Sequence, residues 1–377
     1  MRLRVFVCSF PLFFLCARDA RAQWMLMGDG VAFLTYNHQG GPRGGDEVKS
    51  TNWWMGMAST PTSAGQLTFI GMLSADPLTA TSHGYRELFQ VGETYKGELI
   101  VDRQHPHDLL MQAAAVWRMP IGESAGFTIA GGPVGEPALG PVAFMHRPSA
   151  AENPAAPLAH HTLDSTHIAM EVITAAFDRG PLTIESSVFH GAEPDDNRWD
   201  LMDPGALDSW STRVWLRPSK KWEFQASHGF LKKPEALEPD DVRRTTGSAS
   251  WFDDRGNDFT AVTAAYGRND KHGDAFNAFL AEATDRRGSL SIYGRAESVQ
   301  NDVHPRAVGE FTVGAVHELP PWTDFEVGVG ADVTFYAVPA VLRDAYGSHP
   351  ISFHVFLRVR PPKSHMGRMW NMRMADP

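Results

Sequence analysis

Cysteine is nearly absent: the 377 residues contain 2, Cys8 and Cys16, and both lie in a stretch that reads as an export leader. The remainder has no thiol for a disulfide, a zinc–thiolate centre or a nucleophile. Long apolar runs are missing too. The run from Val5 to Cys16 is too short to cross a bilayer as a helix, and no later stretch approaches the roughly 20 apolar residues that such a helix needs. Positive charge is in deficit, since 34 Lys and Arg face 44 Asp and Glu for a formal net charge of −10. That argues against nucleic acid as a partner. Familiar catalytic signatures are also missing. No Gly-x-Ser-x-Gly elbow and no glycine-rich phosphate loop followed by Lys-Ser/Thr occurs, and Gly131-Gly132-Pro133-Val134-Gly135 reads as a strand end. Ser227 and His228 are neighbours and so face opposite ways on a strand. The expectation is a protein that is not an enzyme.

What is present begins with the leader. Arg2 and Arg4 form a basic start, Val5 to Cys16 an apolar stretch, and Ala20-Arg21-Ala22 a small-x-small cleavage site, together predicting a cleavable secretory signal over 1–22. Leu15 before Cys16 speaks against lipoprotein processing. Removing the leader takes Arg2, Arg4, Arg18 and Arg21 for one Asp19, which leaves the mature chain more acidic still.

Beyond the leader the main signal is alternation with period two. Over 323–338, Phe325, Val327, Val329, Ala331, Val333 and Phe335 share one face while Glu326, Gly328, Gly330, Asp332 and Thr334 share the other. Over 349–361, Ile351, Phe353, Val355, Leu357 and Val359 oppose Ser352, His354, Phe356, Arg358 and Arg360. Such segments number about sixteen, near 24–37, 50–60, 65–76, 108–119, 126–135, 165–178, 182–192, 208–217, 222–232, 243–253, 258–268, 274–285, 288–300, 307–318, 323–338 and 349–361. They run about ten residues, the length a tilted strand needs to cross hydrocarbon. Aromatics gather at their ends, as in Trp53-Trp54, Trp117, Trp222, Trp251-Phe252 and Phe335-Tyr336. Short turns such as Asp178-Arg179-Gly180-Pro181 alternate with long connections.

These features predict an all-β chain: a closed antiparallel transmembrane barrel over 23–361, in the bacterial outer membrane, with short periplasmic turns and long extracellular loops. A tail over 362–377 follows. The alternative fold is a soluble periplasmic β-sandwich binding metal or sugar. Membrane lipid and the barrel-assembly machinery are the expected partners, and an oligomer is open.

If the apolar faces meet lipid, the opposite faces bring Arg213, Arg217, Glu223, Arg295, Glu297, Glu310, Glu326, Asp332, His354, Arg358 and Arg360 to the lumen. Mixed charge of this kind suits a porin-like channel for small polar solutes or ions, although such residues can equally pair with one another. The long segments 75–107 and 138–164 are the candidates to fold inward.

Of 16 histidines, His105, His107, His146, His160, His161 and His167 lie close in sequence, with Asp108 and Asp164 among them. Imidazole with carboxylate suits a transition metal, copper or zinc among the candidates. In an extended chain His105 and His107 project to the same side, whereas His160 and His161 diverge, so at most one of the latter pair is expected in a given site. The tail adds His365, Met366, Met369, Met372 and Met374, soft donors that suit Cu(I), beside Arg368 and Arg373 in what reads as a flexible basic end.

The segments Asp102-Arg103-Gln104-His105-Pro106-His107-Asp108, Gly135-Glu136-Pro137-Ala138-Leu139-Gly140-Pro141, Phe144-Met145-His146-Arg147-Pro148-Ser149 and His160-His161-x-x-Asp164-Ser165-Thr166-His167 resemble an uncharacterised group of bacterial outer-membrane proteins. In wider shape the chain resembles a porin-type barrel over its mature length. The resemblance implies an outer-membrane barrel; proteins of this kind are sometimes encoded near metal-resistance functions, which would fit the histidine and methionine content.

Overall fold

A strand with one apolar and one polar face needs two different surroundings. The computed structural model, which describes residues 24–201 and 203–362, meets that need by closing the sheet on itself. In chain order the strands are β1 (Met25–Gln39), β2 (Gly45–Thr62), β3 (Gly65–Leu73), β4 (Tyr85–Tyr95), β5 (Glu98–Gln104), β6 (Leu110–Ile121), β7 (Ala125–Gly135), β8 (Ala169–Arg179), β9 (Leu182–His190), β10 (Ser209–Ser219), β11 (Trp222–Leu231), β12 (Val242–Arg255), β13 (Asp258–Lys271), β14 (Asp274–Arg287), β15 (Leu290–Val299), β16 (Val308–Trp322), β17 (Phe325–Ala337) and β18 (Ile351–Arg360). All but β4 and β5 form one closed antiparallel barrel of 16 strands. Closure is made by β1 against β18, with Leu34 opposite Leu357 and Tyr36 opposite Val355. A closed sheet leaves no unpaired edge, the condition for crossing hydrocarbon as strands.

The exposed outer face is apolar, as at Leu34, Phe69, Ile129, Ile173, Ile292 and Val355. Trp24, Trp117, Trp222 and Trp322 ring one rim, and Tyr36, Trp210, Phe335 and Phe353 ring the other. Trp53 and Tyr336, expected in these girdles, point inward instead. Their neighbours Trp54 and Phe335 hold the outer positions, and period two allows only one of an adjacent pair on each face.

The two rims differ. Connections 63–64, 122–124, 180–181, 220–221, 256–257, 288–289 and 323–324 are tight turns on the rim where β1 begins and β18 ends. The opposite rim carries 74–109, 136–168, 191–208, 232–241 and 338–350, the asymmetry of transmembrane barrels. The leader over 1–22 and the tail histidine and methionines over 363–377 lie outside the described residues.

Both long segments expected as candidates enter the lumen. Segment 136–168 is held to wall after wall: Ala138 N donates to Ser187 Oγ on β9 at 2.7 Å, Gly140 N to Ser227 Oγ on β11 at 2.9 Å, and Ala159 N to Glu297 Oε1 on β15 at 2.9 Å. Its Glu152 pairs with Arg358 and Arg360 at the foot of β18, so the segment descends nearly the full height of the barrel. Segment 74–109 holds the hairpin β4–β5. Its turn, Lys96-Gly97, has φ of 56° and 76°, the left-handed pair that a two-residue hairpin uses. Asn37 and Gln39 of β1 dock it, by bonds to Arg86 O at 2.8 Å and from Leu88 N at 3.1 Å. Leu88, Phe89, Leu158 and Leu163 of the two inserts pack into one buried cluster with Leu280, Val308 and Tyr336 of the wall. The barrel therefore contains an apolar core inside its own lumen.

Candidate metal centre

The residues expected to line the lumen all lie on inward-facing strand positions, and most are engaged in pairs. Arg213 donates to Glu185 at 2.8 Å and to Gly140 O at 3.0 Å, Arg217 to Glu223 at 2.7 Å, and Arg295 to Ala155 O at 3.1 Å. Asp332 accepts from Tyr293 at 2.7 Å and faces His354 Nδ1 at 2.8 Å, Glu326 accepts from Arg286 and Arg360, and Arg358 meets Glu152 and Glu318. Glu297 caps the backbone of Leu158 and Ala159, and Glu310 accepts from Thr312. Of these, Arg213, Arg295, Glu297, Arg358 and Arg360 hold the insert 136–168 to the wall, and the others pair within the wall.

The histidines form a different arrangement. His105 and His107 follow β5 directly. His160 and His161 open α2 (His160–Leu163), and His167 closes a 3-10 turn over Ser165–His167. Five rings thereby meet between the two inserts. Centroid separations are 5.8 Å for His105–His160, 5.1 Å for His105–His161, 5.2 Å for His160–His161, 5.2 Å for His160–His167 and 5.7 Å for His107–His167. His105, His160 and His161 place ligand nitrogens within 4.8 Å of one another. Tetrahedral coordination at metal–nitrogen distances near 2.0–2.1 Å spaces the nitrogens at about 3.3 Å, which small ring rotations supply.

The expectation that His160 and His161 diverge fails for a local reason. Helical neighbours lie about 100° apart, where strand neighbours lie 180° apart, so both reach the group.

The hydrogen bonds of the rings decide their chemistry. Nδ1 of His105 lies 3.2 Å from Pro106 O and 3.1 Å from Glu93 Oε1; Nδ1 of His107 lies 2.9 Å from Asp76 Oδ2, that of His160 2.7 Å from Asp164 Oδ1, and that of His167 2.8 Å from Asp164 O. Carbonyl oxygens and ionised carboxylates only accept, so each Nδ1 carries the hydrogen and each Nε2 presents its lone pair. All four Nε2 atoms are buried without a hydrogen-bond partner among the described residues. A buried acceptor without a partner costs roughly 1–3 kcal/mol; two of the four rings, His105 and His160, belong with His161 to the group whose ligand nitrogens converge. An imidazole fixed through one nitrogen with the other free is the usual posture of a metal ligand.

Burial holds His105 and His167 well below the ordinary imidazole range, with the neighbouring histidines adding to the effect. Burial also lowers His160, with Asp164 opposing in part. Neutral imidazole is the ligating form.

The remaining candidates take other places. Asp164 orients His160 with one oxygen and meets Arg147 at 2.5 Å with the other, and Arg147 continues to Glu282 on β14 at 2.6 Å. It is a positioning group that ties His160 to the wall. Asp108 pairs with the buried Arg198 at 3.2 Å. His146 packs edge-on against Trp53 at 4.6 Å, and burial drives it down to about 3. Sequence reasoning missed Glu93, Arg198, Glu193 and Glu235, which surround the cluster. Lys96-Gly97 between two β-prone runs was the signal for the hairpin that carries Glu93.

A cavity of about 50 Å³ adjoins the rings, lined by His105, His107, Asp76, Tyr85, Trp53 and Met145 among others. Five non-glycine residues of this insert, Thr81, Phe89, Glu93, Lys96 and Asp102, have positive φ, a strained conformation that persists where the surroundings over-determine it.

No family model and no curated protein matches the chain. Solved structures do match. The anion-selective porin from Comamonas acidovorans aligns with TM-score 0.55 and 11% identity over 90% of this chain and 100% of that one. The Salmonella typhi OmpF in complex with daunomycin gives 0.51 and 10% over 89% and 97%, and the OmpT loop L8 deletion mutant from Vibrio cholerae gives 0.50 and 9% over 89% and 99%. At these identities the likeness is one of fold: the chain is a sixteen-stranded barrel of porin architecture.

Proposed function

We propose that this protein is an outer-membrane barrel that captures a first-row transition metal in its lumen, as cargo for transport or resistance. The observation that carries the reading is the convergence of ligand nitrogens of His105, His160 and His161 within 4.8 Å, beside the buried, unpartnered Nε2 atoms of His105, His107, His160 and His167, whose rings are fixed through Nδ1. An all-imidazole donor set without thiolate suits Zn(II), Cu(II) or Ni(II). The apolar outer belt and the porin architecture favour the outer membrane as the location.

The test is titration of the purified, refolded barrel with Zn(II) and Cu(II). Stoichiometric binding that disappears in the His105→Ala/His160→Ala/His161→Ala variant, with the heat-modifiable folded band retained, is the expected result. A folded wild-type protein that binds neither ion would sink the reading.

The architecture favours a second reading, a channel for small polar solutes or ions whose passage the inserts restrict. Single-channel conductance discriminates. Ohmic steps unaffected by Zn(II) favour the channel, and steps that Zn(II) blocks favour a metal seated in the path.

A further inference from the structure

His161 differs from the other four rings. Neither of its nitrogens has a hydrogen-bond partner among the described residues, and it belongs to two separate groups of converging donors. One is the imidazole group described above. The other is His161 with Glu193 and Glu235, whose ligand atoms also lie within 4.8 Å of one another. Nδ1 of His161 is 3.7 Å from Glu193 Oε2 and 3.9 Å from Glu235 Oε1. Both separations exceed hydrogen-bond reach and are ion-pair distances; burial lowers His161, but Glu193 and Glu235 outweigh it and raise the ring to about 9, so an ion held among the three groups displaces the ring's proton. The Glu193 side chain is only 9% exposed, and neither of its carboxylate oxygens has a hydrogen-bond partner among the described residues. Glu235 is positioned by the backbone N–H of Glu93, 3.3 Å from its Oε2.

The scaffold around this group is built to hold His161 in place. Its carbonyl accepts from Arg244 at 2.7 Å and from Asn269 at 3.2 Å, residues at the long-loop ends of β12 and β13. Its ring lies on Gly92, where a Cβ would stand 2.2 Å from His161 Cε1 and where φ is +150°. A side chain at 92 would push the ring out of both groups. The position is on the mouth side, since Glu193 and Glu235 belong to the loops 191–208 and 232–241 of the long-loop rim. The same loop 191–208 carries the more exposed Asp195, Asp200 and Asp203, which make the potential at the mouth attractive to cations.

We infer that His161, Glu193 and Glu235 form a second cation site, on the mouth side of the imidazole cluster and sharing His161 with it, one ring nitrogen to each site, so that with both ions bound the ring is an imidazolate that has given its protons to solvent. The site takes a divalent first-row ion that accepts mixed imidazole and carboxylate donors, Zn(II) being the probe of choice. The two sites are successive stations: an ion arriving from the loops meets harder carboxylate donors first, and His161 is the ligand through which it passes to the all-imidazole group. The inference rests on the reading that the imidazole cluster holds metal.

The test is equilibrium titration of the full-length refolded barrel with Zn(II) alone, against a chromophoric chelator that reports stoichiometry. Wild type is expected to bind two equivalents. Glu193→Gln/Glu235→Gln is expected to bind one, and His105→Ala/His160→Ala to keep one, at the mouth. Gly92→Ala, which removes no donor, should lose tight binding of the mouth equivalent by tenfold or more; it serves as the independent variant if the double glutamine chain does not fold, judged by heat-modifiable mobility. One equivalent in wild type that vanishes in His105→Ala/His160→Ala overturns the second site and leaves the proposed function standing. Two equivalents retained in both Glu193→Gln/Glu235→Gln and Gly92→Ala overturn it as well. No binding by folded wild type overturns both.

Discussion

Two polar clusters lie inside the same barrel, and they are built on opposite principles. Towards the short-turn rim, Glu152 meets Arg358 and Arg360, Glu318 meets Arg358, and Glu326 meets Arg286 and Arg360. Every one of these charges faces an opposite one, so the cluster neutralises itself and fastens the insert to the wall. Towards the mouth, five imidazoles crowd together with like facing like, and their Nε2 atoms have no hydrogen-bond partner among the described residues. Burial of polar groups is tolerated when they are paired. The lower cluster obeys that rule from its own residues, and the upper one would obey it with the cation proposed above. What separates a structural from a functional polar cluster is therefore whether its partners are within the chain, not how many charges it has.

The contrast predicts different consequences of mutation. Breaking the lower cluster should hit stability hardest: Arg358→Ala leaves Glu152 in a buried site short of its nearest partner, at a cost of about 3–5 kcal/mol, read as a lowered midpoint in urea unfolding of the lipid-embedded barrel. Metal stoichiometry of the protein that remains folded should be unchanged.

At the boundary between the clusters stands Asp164, which orients His160 and neutralises Arg147. Asp164→Asn should weaken Zn(II) binding about 10–100-fold while the folded band persists, measured by chelator competition. Unaltered affinity would show that the orientation of His160 does not matter.

His146 supplies a smaller effect. It sits against Trp53 beside the cluster without sharing its donor geometry, so His146→Phe should change Zn(II) affinity by less than about threefold, a difference of under 1 kcal/mol. The smallest expected effect is at the surface. Arg268→Ala, which breaks an exposed pair with Asp270, should leave the urea midpoint of the lipid-embedded barrel where it is in wild type.

The wall was legible in the sequence because lipid on one side and polar groups on the other impose period two on each strand. All sixteen segments lie where alternation put them, with ends shifted by a few residues. The hairpin β4–β5 was not legible for the same reason. Enclosed in the lumen, β4 is buried on nearly every residue from Tyr85 to Thr94, so no alternation marks it. The site was half legible. The histidines stood out by composition, but their convergence depends on His105 and His160 meeting across two inserts, and the helical turn at His160 reversed the expected divergence from His161. Glu93, Glu193 and Glu235 carried no local signal, since each is an ordinary acidic residue until the fold brings it beside an imidazole.

The donors around a bound ion test the proposed site most directly. X-ray absorption at the zinc edge of the Zn(II)-loaded, refolded barrel should show light-atom ligands near 2.0–2.1 Å with the multiple-scattering pattern of several imidazoles, and that pattern should be lost in the His105→Ala/His160→Ala/His161→Ala variant. A zinc environment of water and carboxylate alone, identical in wild type and variant, would contradict it.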